Sequence, residues 1–253
     1  MNKETRRKII EETLRERKEL DVNEIMNRFS ISNVTVRNDL IYLERKGVLK
    51  RKYGKAILYE NRYQSTFDIN NIKNLEEKEK IGKYASAMIR ENDSVMLYTG
   101  TTTLQIARFI DPDLNFVGVT NSMFIALELR HRARNARLVI IGGNLNKKTG
   151  STYGDDAIKQ LEAYNIDTLF LAVDGISVGR GITNADPYET DINRALIHKA
   201  NKVIVVTDHT KIGAVSFVNM GNIEEVDMLI TDSKANKEQV ELIMNSGVKV
   251  ITV

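Results

Sequence analysis

Gly100-Thr-Thr-Thr103 places a glycine directly before three hydroxyl side chains. Gly100 lets a backbone come close, and the amides and hydroxyls of Thr101, Thr102 and Thr103 converge where a helix begins. That arrangement favours a phosphate or another anion. A Gly-Thr-Thr run is also an ordinary helix cap, so it gains weight from its company. Small, hydroxyl or charged residues recur at Thr120-Asn121, Gly142-Gly143, Asp174-Gly175 and Thr207-Asp208-His-Thr-Lys211. With Lys211 as a cation for the phosphate, Asp174 and Glu189 for hydroxyls and Asp208 among the effector-binding candidates, the set describes a phosphosugar pocket.

A second constellation lies nearer the N-terminus. Residues 28–60 hold eight Lys/Arg against three Asp/Glu, whereas the whole chain carries a net charge of only +3. A basic surplus packed into one window is the footprint of a polyanion-binding module; a solvated charged face is the bland reading of the same surplus. Within the window, Val36, Leu40, Leu43 and Gly47 share one stripe of a helix opened by Ser32 and Asn33. Thr35, Asn38, Tyr42 and Arg45 fall opposite, with Val34 on the margin and Arg37 beside the apolar stripe. Asn38 suits adenine, Val34 a thymine methyl, and Arg37 guanine or a phosphate. Arg51, Lys52 and Lys55 add cations on a hairpin that follows.

The remaining chemistry is limited by composition. The chain of 253 residues is 42% hydrophobic and 28% charged, as expected of a folded soluble protein, and has no cysteine. Thiol catalysis, disulfides and thiolate metal sites are therefore excluded. His131, His198 and His209 show no ligand spacing, so no metal is expected. No Gly-x-Gly-x-x-Gly opens a helix after a strand, so no nicotinamide cofactor is expected either. The N-terminus has no apolar signal-peptide core, and no run approaches the roughly 20 apolar residues of a membrane span. The expected setting is the cytoplasm, with no membrane partner.

Periodicity supplies the elements that must position these residues. Helices are expected over 4–18, after Asp21, and from Ser32 after the break Ser30-Ile31-Ser32. Strands Leu49–Lys52 and Ala56–Tyr59 are joined by Tyr53-Gly54-Lys55. This is a winged helix-turn-helix, with the third helix in the major groove. Residues 1–60 form that domain, 61–74 a polar connector, and 75–253 a larger domain. The latter opens with a helix over 75–90. Apolar strands then follow at 94–98, 115–120, 136–141, 168–173, 202–207, 227–231 and 248–253. Helices at 103–109, 122–133, 155–164, 189–200 and 237–246 alternate with them. Such alternation indicates an α/β domain with a mainly parallel sheet, whose ligands bind beyond the carboxyl ends of the strands.

Val22-Asn-Glu-Ile-Met-Asn-Arg-Phe-Ser-Ile-Ser-Asn-Val-Thr-Val-Arg-Asn-Asp-Leu40, with Leu43-Glu-Arg-Lys-Gly47 and Arg51-Lys-Tyr-Gly-Lys-Ala56, resembles the N-terminal signature of the DeoR family of bacterial transcriptional regulators. The resemblance continues from about Glu77 to Ser233 through Gly100-Thr-Thr-Thr103, Val119-Thr-Asn-Ser122, Ile141-Gly-Gly143, Ala172-Val-Asp-Gly-Ile176, Gly181-Ile-Thr183, Glu189 and Asp208-His-Thr-Lys211. It implies that Ser32, Thr35 and Arg37 face DNA. It also implies that the larger domain, akin to ribose-5-phosphate isomerase, binds a phosphorylated sugar or sugar alcohol. Many members carry arginine at Asn38, glycine at Lys55 and aspartate at Tyr98. Tyr153-Gly-Asp155, Asn165-Ile-Asp-Thr-Leu-Phe-Leu171 and Val36-Arg-Asn-Asp39 look most like the amino-sugar regulators of the family.

The expectation is a repressor of a sugar-catabolic operon, acting as a homodimer or homotetramer on double-stranded operator DNA and released by the sugar phosphate. The competing reading is a sugar-phosphate isomerase-like enzyme with an appended DNA-binding domain. Such isomerases use Asp-Gly-Ala-Asp and a Lys-Gly-Gly-Gly loop, where this chain has Asp174-Gly-Ile-Ser177 and Gly179-Arg-Gly-Ile182. The second acid and the loop lysine are missing, so binding without turnover is expected.

Overall fold

The computed structural model describes residues 2–46, 48–58 and 66–253. Gly47 on the expected inner stripe, Tyr59 at the expected hairpin end, Glu60, and connector residues 61–65 lie outside them. The chain divides into two compact units, Met1–Lys73 and Asn74–Val253.

In the first unit, α1 (Lys3–Arg17) starts where the Asn2 side chain accepts the Thr5 amide at 2.8 Å. A short strand β1 (Glu19–Asp21) leads into α2 (Val22–Phe29), capped by Asp21. Ser30 takes a left-handed backbone with φ 51°, which ends α2 and turns the chain into α3 (Asn33–Arg45). Ser32 caps α3 by accepting the Thr35 amide at 3.4 Å, as its position suggested. Strands β2 (Leu49–Lys52) and β3 (Lys55–Leu58) pair antiparallel, with Lys52 opposite Lys55. Tyr53 and Gly54 form the two-residue loop at φ 50° and 78°, the left-handed pair that a tight hairpin of the I′ kind demands. Lys55 is thus the first residue of β3 and not part of the loop.

Two features of this unit run beyond the sequence expectation. β1 joins the hairpin to make a three-stranded sheet in the order β1-β3-β2. Helix α4 (Thr66–Ile72) occupies half of the stretch read as a connector. The core is Ile10, Leu14, Leu20, Ile25, Val36, Leu40, Leu43, Leu49 and Ala56, all buried. Each fully buried Leu or Ile contributes roughly 1.5–3 kcal/mol. Asp39 lies on the inward side of α3 with only 1% of its side chain exposed. Its two oxygens accept from Arg6 Nε at 2.6 Å and Arg7 Nε at 2.7 Å, tying α3 to α1.

In the second unit, α5 (Leu75–Ser86) precedes the seven expected strands. These are β4 (Ser94–Leu97), β5 (Val117–Thr120), β6 (Arg137–Ile140), β9 (Thr168–Leu171), β12 (Val203–Val206), β14 (Met228–Thr231) and β15 (Lys249–Thr252). They form one sheet in the order β15-β14-β12-β9-β4-β5-β6, parallel throughout. Runs such as Val203–Val206 are buried along their whole length, the signature of strands covered on both faces. Between them run α6 (Thr101–Phe109), α7 (Met123–Arg132), α8 (Asp155–Glu162), α9 (Thr190–Lys199) and α10 (Lys237–Asn245). Shorter pieces were not expected. They are a hairpin of β7 (Asn144–Asn146) and β8 (Ser151–Tyr153), and an antiparallel sheet of β10 (Gly175–Ser177), β11 (Gly181–Asn184) and β13 (Val218–Gly221).

The strand order fixes where a ligand crevice falls. From β4 the sheet grows one way through β5 and β6 and the other way through β9, β12, β14 and β15. The order reverses between β4 and β9, and crevices open at such a reversal beyond the carboxyl ends.

Candidate functional site

On α3, exposure redraws the outward face. Asn33, Val34, Arg37, Asn38 and Arg45 are exposed, with Val34 at 69%, while Thr35 and Tyr42 are half-buried. The face is centred on Val34 and Arg37, which periodicity had placed at the margin and beside the apolar stripe. Tyr42 turns toward α1, and its ring lies 3.7 Å from the Arg7 guanidinium carbon and 4.7 Å from Lys46 Nζ. Such contacts favour a cation over an aromatic face and remove Tyr42 from the centre of the outward surface. Ser32 Oγ and Thr35 Oγ1 are 3.0 Å apart, so both hydroxyls serve the helix start.

The hairpin cations are differently placed. Glu44 accepts the Arg51 amide at 2.9 Å and Arg51 Nε at 2.7 Å. Lys55 Nζ pairs with Glu19 at 2.7 Å, and this hydrogen bond and charge raise the lysine pKa. Lys52 Nζ sits 5.5 Å from the ring of Tyr53, which is 93% exposed at the hairpin tip. Exposed pairs of this kind are weak, and a phosphate can displace their carboxylates.

At the reversal of the main sheet, α6 begins at Gly100 with no side-chain cap among the described residues. Its first-turn amides therefore point outward from the exit of β4, where they favour an anion. Thr99 Oγ1, at the same exit, is buried without a protein partner among the described residues. Asp174, after β9, and Lys211, after β12, meet at 3.5 Å with about a third of each side chain exposed. Thr101 and Thr102 stand at the start of α6, and Asp174 also accepts the Ala185 amide at 3.0 Å.

Other candidates from the sequence are committed to the fold itself. Thr103 Oγ1 donates to the Tyr98 carbonyl at 2.7 Å, and Thr120 Oγ1 to the Leu97 carbonyl at 2.7 Å. Asn121 accepts the Thr99 amide at 3.1 Å and donates to the Thr152 carbonyl at 3.1 Å. The Gly142 amide donates to Gln160 at 3.0 Å. Gly143 has φ 125°, and a Cβ there would meet the Tyr153 carbonyl at 2.6 Å; one at Gly175 would meet the Ala214 carbonyl at 2.4 Å.

Glu189 was expected to take sugar hydroxyls. It is buried, and four protein donors surround it: Tyr98 Oη at 2.9 Å, Asn146 Nδ2 at 3.1 Å, Thr149 Oγ1 at 2.7 Å, and the Ser151 hydroxyl. It therefore clips the β7–β8 hairpin to the exit of β4. Burial and then the Glu189 charge push the Tyr98 hydroxyl pKa well above its ordinary value. Asp208, also buried, accepts the Thr210 amide at 3.0 Å and the Thr210 hydroxyl at 2.5 Å. Burial raises its pKa, but Thr210, the Lys78 charge and Asn74 outweigh that and hold it below the ordinary carboxylate range. His209 Nδ1 lies 3.0 Å from Asp232. Among the described residues no group of three or more His, Asp and Glu could hold a metal, and no helix is long and apolar enough to cross a membrane.

Gly100 has a packing reason of its own. A Cβ there would fall 2.3 Å from Ala172 Cβ and 3.0 Å from Thr103 Oγ1, wedging the β4 and β9 exits apart. Gly100→Ala is therefore expected to lower the stability of the second unit by about 1–3 kcal/mol, read as a fall in the denaturant midpoint. Wild-type stability would show that the two exits relax freely. A larger acidic residue at this position would disturb packing as well as repel an anion.

Sequence reasoning missed the buried partners Arg6, Arg7 and Asp39, the Tyr98–Glu189 bond, and the hairpin donors Asn146, Thr149 and Ser151. Asp39 did carry a signal, an acid in register with the apolar stripe.

A winged helix-turn-helix with an outward third helix, followed by a doubly wound α/β unit, is the architecture of a DNA-binding transcriptional regulator with its own sensor. Residues 6–62 match the DeoR-like helix-turn-helix domain, and residues 73–233 match the DeoR C terminal sensor domain. The chain belongs to the DeoR family. It is 33% identical, over 98% of its length and 93% of the relative's, to a protein of Escherichia coli O157:H7 that carries the name of an aga operon transcriptional repressor. It is 30% identical to the HTH-type transcriptional regulator GolR of Listeria innocua serovar 6a, over 91% of each chain. Among solved structures, ribose 5-phosphate isomerase A from Methanocaldococcus jannaschii is similar at 18% identity and a TM-score of 0.41, over 55% of each chain.

Proposed function

We propose that this regulator is a cytoplasmic repressor of a sugar-catabolic operon, released from its operator by a phosphorylated sugar or sugar alcohol. In this reading residues 1–60 read the DNA, 61–74 connect, and 75–253 sense the effector and assemble the chain as a homodimer or homotetramer. Half-sites one helical turn apart require at least two copies. The observation that carries the proposal is the uncapped start of α6 at the sheet reversal, with the Asp174–Lys211 pair formed by residues that follow β9 and β12 of the same sheet. An anion there meets outward amides and a cation together. The Tyr153-Gly-Asp155 resemblance and the relative named for the aga operon favour an amino-sugar phosphate.

Turnover is not part of the proposal. Glu189 is surrounded by four protein donors, and Ser177 stands where the isomerases carry a second acid. The test is fluorescence anisotropy of the full chain on DNA from its own upstream region, with and without phosphorylated sugars, alongside an isomerase assay. Release by a sugar phosphate without isomerisation is the expected result; turnover would favour the enzyme instead.

Lys211→Gln removes one charged contact to the phosphate. It is expected to weaken sugar-phosphate binding roughly 10- to 150-fold, the effect of about 1.5–3 kcal/mol for a hydrogen bond to a charged group. Operator affinity without sugar should be unchanged. Calorimetry on the variant checks this, and undiminished binding would remove Lys211 from the site.

A further inference from the structure

The first turn of the second unit is bonded to the loop that follows β12. Asn74 Nδ2 donates to Asp208 Oδ1 at 3.0 Å. Lys78 Nζ lies 3.8 Å from Asp208 Oδ2, with 5% of each side chain exposed. Asn74 holds a left-handed backbone at φ 51° where α5 begins, so the amide is aimed by a conformation that few residues adopt readily. A second tie joins Glu77 to Lys234 in the loop after β14. Residues 74–78 therefore grip both neighbouring strand exits.

The gripped loop is short. Asp208 caps a single 3-10 turn, His209–Lys211, and Lys211 at its far end pairs with Asp174. One end of the turn is anchored on the start of α5 and the other is paired with Asp174, which follows β9. An ion pair this deeply buried adds little net stability compared with apolar side chains of the same volume. Its use is in holding a geometry. The chain arriving from the first unit runs directly into that anchored end.

We propose that the Asn74–Lys78–Asp208 cluster is the coupling element through which effector occupancy at Lys211 reaches the connector to the DNA-binding unit; this rests on the phosphosugar reading above. A phosphate that draws Lys211 away from Asp174 moves the 208–211 turn, and the turn alters its hold on the start of α5. Neither Asn74 nor Lys78 contacts the ligand in this scheme. Their role is to transmit.

The experiment uses the full chain and two variants. Lys78→Met removes the charge while keeping most of the side-chain volume. Asn74→Gly removes the amide donor and keeps a residue at ease with positive φ, so it tests the idea even where Met at 78 leaves Asp208 unpaired and the protein unstable. Inorganic phosphate, ribose 5-phosphate, glucose 6-phosphate and N-acetylglucosamine 6-phosphate are titrated by calorimetry. Operator anisotropy is then measured with and without each sugar phosphate that binds. Wild type should lose operator affinity about 5- to 150-fold on binding sugar phosphate, the usual span of allosteric coupling. Asn74→Gly should bind sugar phosphate and free operator as wild type does, yet change operator affinity less than about 2-fold on adding sugar, a near-complete loss of coupling. A wild-type response in Asn74→Gly overturns the coupling role. So does a variant that no longer binds sugar, because the cluster would then shape the pocket and not relay from it. A wild-type chain that no sugar phosphate dislodges from DNA overturns the effector reading beneath it.

Discussion

Arg37→Ala eliminates sequence-specific operator binding and leaves the effector affinity of the second unit untouched. Arg37 is exposed on α3 beside Asn33, Val34 and Asn38, so its truncation removes no core contact. A bidentate arginine–guanine contact contributes about 1–3 kcal/mol of discrimination. In the proposed dimer, two copies on two half-sites lose that amount twice, which brings specific binding down toward the level set by phosphate contacts alone. Anisotropy with operator and scrambled duplexes at fixed salt reads the difference directly. Retained discrimination in the variant would mean that another element reads the groove.

Asp39→Ala acts on the same helix from the opposite side and should unfold much of the first unit. The carboxylate is buried and accepts from Arg6 and Arg7 at 2.6 and 2.7 Å. Removing it leaves two nearly buried guanidinium groups facing one another without a counter-charge. Breaking a buried pair this way costs about 3–5 kcal/mol, a large share of the roughly 5–15 kcal/mol that holds a small domain together. The first unit should therefore melt well below the wild type in a denaturant series, and DNA binding should fall with it. Unaltered melting would show that water or a relaxed backbone takes over from the carboxylate. The contrast with Arg37→Ala is informative, since one variant fails to read and the other fails to fold.

Much of this architecture was legible because parallel, doubly covered strands leave unbroken apolar runs. Val203–Val206 and Met228–Thr231 could be nothing but strands of a buried sheet. Elements of three residues, such as β1 and β7, carry no such period and escaped notice. The outward face of α3 was misdrawn because hydrophobicity was taken as a guide to burial. Val34 points out while Tyr42 and Thr35 turn partly inward, so the polar side chains follow local partners and not solvent. At the sensor, the strand exits were correctly located, but several of their side chains are held by partners within the fold. Asn121, Thr103 and Glu189 bind groups 5 to 91 residues away in sequence. No pattern in one dimension tells a hydroxyl waiting for a ligand from one already holding a hairpin.

The reversal of strand order has a mechanical consequence. Within the main sheet, the strands of the chain's earlier half meet those of its later half along one ladder, Val95↔Thr168, Met96↔Leu169 and Leu97↔Phe170. A metabolite gripped by Thr101 on one side and Lys211 on the other would straddle that seam like a rivet across two plates. Occupancy would then be felt first as resistance to prising the halves apart.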